Sequence, residues 1–418
     1  MNLIKNIFQG DKVIWIVFLM LCLISITEVF SASSTLVYQS GDHWGPITRH
    51  CIFLLVGAGV VVLFHATPFK WFRVLPLLLL PPSLVFLVML LLCDRLNLGG
   101  MLVIEKVNEA SRWVKFMGIQ FQPSELAKMG VVIVVAFILS KGQDEEGAHP
   151  KAFRHILIVS GLFCGLILPE NYSTAVLLFA TVFLMMFIGR VALRKLLALG
   201  GLMLLVGSLF VAFLWLTPNE TLKEIPLGGR FTTWKSRLAE FSEPKVPPQA
   251  FDIDEKGQVG HARIAVATSN VLGKGPGNSV QRDFLSQAYS DFIYAIVIEE
   301  LGLAGALVVA FLYVVLLIRV GRIARKCDRT FPAFLVLGIG LIVVTQALFN
   351  MMVAVGLAPV TGQPLPLVSR GGTSTFINCA YVGMILSVSR YTQALQKETT
   401  TETAPEAIDD GPPDGLKP

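Results

Sequence analysis

Ten apolar runs constrain this chain more than any other feature. They lie near residues 13 to 34, 47 to 67, 74 to 93, 126 to 140, 154 to 169, 172 to 189, 196 to 216, 292 to 318, 331 to 353 and 374 to 390. Most approach the ~20 residues that a helix needs to cross the hydrocarbon core of a bilayer. Composition agrees: of 418 residues 54% are hydrophobic and only 15% charged, where a soluble domain carries about a quarter charged. The first run has a Lys-bearing start and ends in Phe30-Ser31-Ala32-Ser33-Ser34, which resembles a signal peptide. Its length of about 21 residues and the nine runs behind it predict a retained span instead. The fold class expected is an all-α polytopic membrane protein with ten transmembrane helices.

The net charge of +5 gives no case for a nucleic-acid partner. Six cysteines, Cys22, Cys51, Cys93, Cys164, Cys327 and Cys379, show neither zinc-site spacing nor disulfide density. Placement of charge says more than its sum, because short basic loops stay cytoplasmic. Arg190, Arg194 and Lys195 follow the sixth run, and Arg319, Arg322, Arg325, Lys326 and Arg329 follow the eighth. Lys70, Arg73, Lys141, Lys151 and Arg154 fall on the same side, which puts both termini in the cytoplasm and residues 217 to 291 outside. Residues 1–12 then form a cytoplasmic N-terminus, 13–392 the membrane domain with 217–291 as its large outer loop, and 393–418 a disordered acidic tail.

The outer loop carries nine acidic and nine basic residues and is expected to be ordered. Within it Phe231, Trp234, Leu238 and Phe241 recur at helical spacing between charges. A helix on the membrane surface and a helix packed on the protein's own spans both fit.

Ionisable groups inside spans are costly and point to function or to buried pairing. Glu28, Lys128, Glu299 and Glu300 are of this kind. Glu125 and Lys128, three apart behind Pro123, share a helix face near its start. Asp291 precedes the eighth run at the outer boundary. It suits a helix N-cap and equally a general base, since partial desolvation raises a carboxylate pKa toward working pH. Outward-facing cations accompany it: Arg112, Lys115, Arg263, Lys274, Arg282 and Arg370. Leu272 to Ser279 has the look of a phosphate-cradling turn, although Thr268 stands where a P-loop needs its first glycine. Arg370-Gly371-Gly372-Thr373-Ser374 opens the tenth helix, where free amides could hold an anion; turn chemistry explains the glycines as well.

Four stretches carry a resemblance. They are Gln122-Pro123-Ser124-Glu125-Leu126-Ala127-Lys128, Gly273-Lys274-Gly275, Asp291-Phe292 with Glu299-Glu300-Leu301-Gly302, and Pro359 through Ser374. Together they resemble the SEDS family of FtsW, RodA and SpoVE relatives over residues 13 to 390, with a nearer likeness to the division members. The resemblance implies ten helices and a peptidoglycan glycosyltransferase that polymerises lipid II on the outer face of the cytoplasmic membrane. It implies Asp291 as the catalytic base. Arg112, Lys115, Glu125, Lys128, Lys274, Arg282, Asp283, Ser369 and Arg370 would bind substrate, with the cations among them stabilising the diphosphate. A Mg²⁺ or Mn²⁺ ion held by Asp291 and Asp283 is a further expectation. The implied partner is a class B penicillin-binding protein, FtsI-like, among other division proteins at the septum. The chain departs from the family pattern at Glu170 in Leu168-Pro169-Glu170-Asn171-Tyr172, at Thr361 and at Arg370. Two rival functions, a lipid II flippase and a noncatalytic division scaffold, share the same membrane topology.

Overall fold

Asp11 starts the first span. Its carboxylate accepts from the amides of Val13 and Ile14 and caps α1 (Lys12–Ala32). The computed structural model describes residues 8–33, 41–42, 44–92, 96–98, 102–104, 112–116, 119–144, 147–225, 228–242, 253–285 and 288–402. After α1 come α2 (Gly45–Ala66), a 3₁₀ turn (Phe69–Arg73) and α3 (Leu75–Leu92). The strands β1 (Leu96–Leu98), β2 (Leu102–Ile104), β3 (Val114–Phe116) and β4 (Ile119–Phe121) lead into α4 (Pro123–Ser140), α5 (Ala152–Ile167), α6 (Tyr172–Ile188) and α7 (Leu193–Leu216). The outer loop contributes α8 (Asn219–Glu224), α9 (Gly228–Ser242), α10 (Ile253–Ala267) and a 3₁₀ turn (Gln281–Asp283); α11 (Ile293–Arg325), α12 (Thr330–Ala354) and α13 (Gly372–Glu402) complete the chain.

Each apolar run falls on a helix, and the protein is a multi-pass membrane protein. Among the described residues seven helices are long and apolar enough to cross a membrane, while α5 and α6 are apolar but shorter. Ten crossings therefore require α5, α6 and α13 to span as well. The interior is built by α4, α6, α11 and α12, whose facing residues are buried. The helix α13 lies against α2, so closely that a Cβ on Gly383 would sit 2.7 Å from the Val61 carbonyl oxygen; small residues let membrane helices approach this way.

The two ends of the bundle carry different chemistry. At one end Arg319 pairs with Asp11 at 2.5 Å, Arg73 lies over Phe331 at 4.8 Å, and Arg390 donates to the Ala66 carbonyl. Arg73 and Arg319 are among the residues that predicted the cytoplasmic side, and Arg390 joins them there. The other end gathers the start of α6, the end of α7, α9, the start of α11 and residues 355–371.

Four features correct the sequence reading or, in the second case, decide between two alternatives it held open. Between α3 and α4 the chain forms an antiparallel four-stranded sheet in the order β1-β2-β3-β4, which an all-helical expectation missed because strands of three residues leave almost no periodic signal. The sheet is anchored by Leu102, Ile104 and Val114 packing on Leu90. Second, α9 packs on the bundle: Phe231 and Trp234 meet Phe210 of α7, and Trp234 meets Tyr172 of α6. Third, α13 continues to Glu402, past the residue 393 at which a disordered tail was expected; residues 403–418 lie outside the described residues.

The fourth is a break in α11 at Gly302, whose φ of 69° is non-helical. Broken helices expose unpaired backbone groups, and here the outer loop supplies the partners. The amides of Leu303 and Ala304 donate to the carbonyls of Asn270 and Val271, while those of Lys274 and Gly275 donate to the carbonyls of Glu299 and Glu300. The approach leaves no room for a side chain: a Cβ on Gly273 would lie 2.3 Å from the Glu300 carbonyl oxygen.

Candidate active site

Asp291 does not cap α11. The helix begins at Ile293, its N-cap is Phe292, and no side chain bonds its first amides. The Asp291 carboxylate instead accepts from Ser290 Oγ at 2.7 Å. Its backbone turn is held from the Pro359–Arg370 segment and α12. The Tyr289 carbonyl accepts from the Arg370 amide at 2.9 Å, that of Ser290 from Ser369 Oγ at 2.6 Å, and that of Asp291 from Asn350 Nδ2 at 2.9 Å. Three consecutive carbonyls are thus fixed, two by the Pro359–Arg370 segment and one by α12, which preorganises the carboxylate.

Gly362 lets cations close on that carboxylate. With φ at 68° it takes a left-handed turn that disfavours side chains. A Cβ there would lie 3.4 Å from Asp291 Oδ2 and 3.5 Å from Arg112 Nη1. Arg112 is itself aimed by its Nε, which donates to the Glu170 carbonyl at 3.0 Å. Arg230 bonds the same carbonyl and the Glu170 carboxylate at 2.6 and 2.7 Å. Arg237 reaches in from α9 and donates to the Val360 carbonyl at 3.1 Å.

The electrostatics follow from this crowding. Burial pushes the Asp291 carboxyl above the ordinary aspartate range, opposed by the Ser290 hydroxyl, Arg112 and Arg237. Burial also brings Arg112 down to about 10, helped by Arg230 and Arg237 and opposed by Asp291 and Glu170. Arg237 is lowered chiefly by burial and by Arg230. A carboxylate that is costly to ionise beside guanidinium groups that are costly to keep charged is the pattern expected where a proton moves and an anion is received.

Two cavities meet at Arg237. One, of about 660 Å³, is lined by polar groups such as Lys235, Glu240 and Gln258, with Phe292 at its wall. The other, of about 160 Å³, is an apolar groove among α6, α7, α9 and α12, lined by Val176, Phe210, Leu214, Trp234 and Phe349, with Arg112 and Arg237 on it. An anionic head on an apolar tail fits the second arrangement.

The family model described as "Cell cycle protein", for FtsW, RodA and SpoVE, matches residues 11–394. The chain belongs to the FtsW/RodA/SpoVE family. Over 368 residues it is 34% identical to the probable peptidoglycan glycosyltransferase FtsW of Hahella chejuensis, covering 87% of this chain and 85% of that one. To the protein of the same name from Trichlorobacter lovleyi it is 31% identical over 388 residues, with 91% and 93% covered. A solved peptidoglycan synthase complex that coordinates polymerization and crosslinking shares the fold with a TM-score of 0.68 at 22% identity, over 92% of this chain and 99% of that chain. Rod shape determining protein RodA of Thermus thermophilus shares it with a TM-score of 0.59 at 21% identity, over 92% and 98%.

Not every motif of this FtsW/RodA/SpoVE chain reaches Asp291. The turn with a phosphate-loop look is filled by the protein's own anions. Lys274 pairs with Glu299 at 2.5 Å. Glu299 also accepts from Ser279 Oγ at 2.5 Å and the Val280 amide, and Glu300 accepts from the amides of Gly277 and Ser279 and from Ser31 Oγ. Arg282 donates to Ser31 Oγ and the Gly277 carbonyl, each at 2.7 Å. Lys274 and Arg282 therefore hold the loop rather than face Asp291.

Glu125 and Lys128 are buried and paired at 2.6 Å. Lys128 also bonds Gln346, which donates to the Pro364 carbonyl; the pair supports the Pro359–Arg370 segment from beneath. Ser369 is likewise a backbone clamp. Lys115 projects from β3, exposed, with Val103 and Gln120 opposite. Arg370 stacks on Tyr289 with 5.3 Å to the ring centroid.

Asp283 is half-exposed, 3.8 Å from Arg282, and the charges acting on Asp291 are Arg112 and Arg237. One carboxylate between two guanidinium groups repels a cation, so these residues do not fit the expected Mg²⁺ or Mn²⁺ site. Among the described residues no three His, Cys, Asp or Glu side chains form one either.

Arg230, Arg237 and the supporting role of Glu170 escaped the sequence reading. A signal existed: Arg230 and Arg237 are seven apart, which puts them on one helix face.

Proposed function

We propose that this chain is a peptidoglycan glycosyltransferase that polymerises lipid II at the outer face of the cytoplasmic membrane during division, beside an FtsI-like class B penicillin-binding protein at the septum. The observation that carries the reading is the Asp291 carboxylate, which caps no helix and is acted on by Arg112 and Arg237, two guanidinium groups that themselves line an apolar groove. The names of its relatives in Hahella and Trichlorobacter support it.

In the reaction the acceptor sugar's 4-hydroxyl oxygen attacks the anomeric carbon of the donor. The new C–O bond forms as the bond from that carbon to the diphosphate breaks. Asp291 takes the hydroxyl proton, a task that suits a carboxyl held above its usual range and contributes roughly 10² to 10⁴ in rate. The polyprenyl diphosphate leaves with the bonding pair, and Arg112 and Arg237 stabilise the charge developing there. Glu170 holds Arg112 and Arg230 in place. A single displacement inverts the α-linked donor into a β-linked glycan.

The flippase reading needs a polar path through the spans. Lys128, Glu299, Glu300, Gln346 and Asn350 have bonds to other protein groups, whereas the buried Glu28 carboxylate makes no hydrogen bond among the described residues; the open polar cavity lies at the outer end.

The test is polymerisation of labelled lipid II in detergent by the full chain with its transpeptidase partner, acyl transfer blocked. Glycan strands are expected from the wild type, and Asp291→Asn should lower the rate at least about 10²-fold without lowering Tm. Strands made at the wild-type rate by Asp291→Asn, or none made by the wild type, overturn the assignment.

A further inference from the structure

Arg370 belongs to a different corner from Arg112 and Arg237. The charges that act on Asp291 are Arg112 and Arg237, whereas the groups that act on Arg370 are Tyr289 and Arg49. The corner is made by the outer ends of α1 and α2 and the first turn of α13. His50 is buried there; its Nε2 meets Ser25 Oγ at 2.9 Å, and Ser25 donates to the Val368 carbonyl, two residues before Arg370. The backbone between Tyr289, where Arg370 is anchored, and Asp291 spans at most about 7 Å.

This corner contains polar groups without partners. Arg370 Nη1, Thr373 Oγ1 and Nδ1 of the fully buried His50 are enclosed and make no hydrogen bond within the protein. Arg370 is within the electrostatic reach of His50, so these groups share one region. The first-turn amides of α13 have no intrahelical acceptor, as at any helix start. A Cβ on Gly372 would meet nothing within 4 Å, which leaves space beside them. Among the described residues no carboxylate offsets Arg370 or Arg49. Arg49 is exposed near Trp44, itself 71% exposed, and exposed tryptophans of this kind lie at the level of lipid headgroups. Two guanidinium groups and free amides with nothing to neutralise them suit a phosphate.

We propose that Arg370 and Arg49, with the first turn of α13, form a second diphosphate site that holds the lipid-linked acceptor. The inference rests on the polymerase reading above. Both substrates of that reaction carry a polyprenyl diphosphate, and two such anions repel one another. Only the donor's diphosphate leaves, so the cations acting at Asp291, Arg112 and Arg237, serve it. The acceptor's diphosphate does not react and needs only to be held on the far side of the Tyr289–Asp291 turn, with its sugar reaching the carboxylate. An anionic phospholipid headgroup has the same chemistry and is the competing source.

Binding of undecaprenyl diphosphate separates these cases. The probe would be titrated onto the full chain carrying Asp291→Asn, in nanodiscs of neutral phosphatidylcholine. Two equivalents are expected. Adding Arg370→Gln and Arg49→Gln should weaken one of them at least tenfold, and Arg112→Gln the other, while Arg370→Lys with Arg49 intact should keep both. Survival of the equivalent that depends on Arg112 shows that the double variant is folded. A single equivalent before those changes, or two equally tight ones after them, overturns the proposal. So does loss of the Arg370-dependent equivalent when phosphatidylglycerol is added and excess undecaprenyl diphosphate cannot restore it, since the site is then a phospholipid site. Two equivalents, with no glycan made by the wild-type chain, would sink the polymerase reading instead, and glycan made by a wild-type chain that binds one equivalent would sink only this one.

Discussion

Two regions of the outer face have similar ingredients and opposite outcomes. Around Gly273–Arg282 lie glycines, a lysine, an arginine and two acids, and every one of those charges meets a partner within the protein. Around Asp291 lie a glycine, an acid and arginines, and backbone carbonyls aim Arg112 and Arg237, which act on the carboxylate and also line the neighbouring cavities. In the first region Glu299 and Glu300 occupy the place a phosphate would take. In the second the anion's place is left to a ligand. A charge becomes chemistry only when the protein does not neutralise it, and spacing along the chain does not reveal whether it does.

The strongest way to break this contrast is at Glu300. It accepts from three groups across the gap between α1 and the loop, and removing the acceptor leaves buried donors unsatisfied at about 1–3 kcal/mol each. Glu300→Ala should therefore lower the unfolding free energy by several kcal/mol, read in a chemical melt, while the glycan made per folded molecule stays within about threefold. Equal loss of stability and of specific activity would merge the two regions into one.

Arg237→Gln tests the other side. Stability should change little, and kcat/KM for lipid II should fall about 10- to 100-fold, since one of two groups facing the leaving diphosphate is gone. The pH profile adds a sign. Asp291 works ionised, and burial lifts its pKa, so activity is lost as pH falls through a midpoint above the ordinary aspartate value. Arg237 opposes that lift; without it the acid limb should move to higher pH. A limb that stays or moves down would remove Asp291 as the titrating base.

The smallest expected effect is at Lys115. Exposed on β3 and not among the charges acting on Asp291, it should tolerate Lys115→Ala with initial rates within about twofold. A tenfold loss would extend the site across the sheet.

Much of the molecule was legible in the sequence because bilayer thickness and loop charge act locally. Ten apolar runs became helices, and Arg319, one of the arginines that orient the topology, is the one that ties α1 to α11 at one end. Asp291 was legible as a carboxylate at a boundary, although sequence could not choose between a cap and a base. That choice depended on where α11 begins. It begins at Ile293, two residues on, because the Tyr289–Asp291 carbonyls are held by Ser369, Arg370 and Asn350, residues far along the chain.

Sequence alone thus determined that this is a multi-pass helical membrane protein of the FtsW/RodA/SpoVE family, with acids and cations concentrated at its outer face. Apolar run length and motif order are properties of short segments, and short segments carry them intact. Tertiary structure decided which charges act together. Lys274 was removed from the site by Glu299, Arg237 was delivered to it by α9 packing on α7, and Arg370 was set apart with Arg49. Coulombic interactions weaken as the separation of the charges grows, and only the folded chain sets those distances.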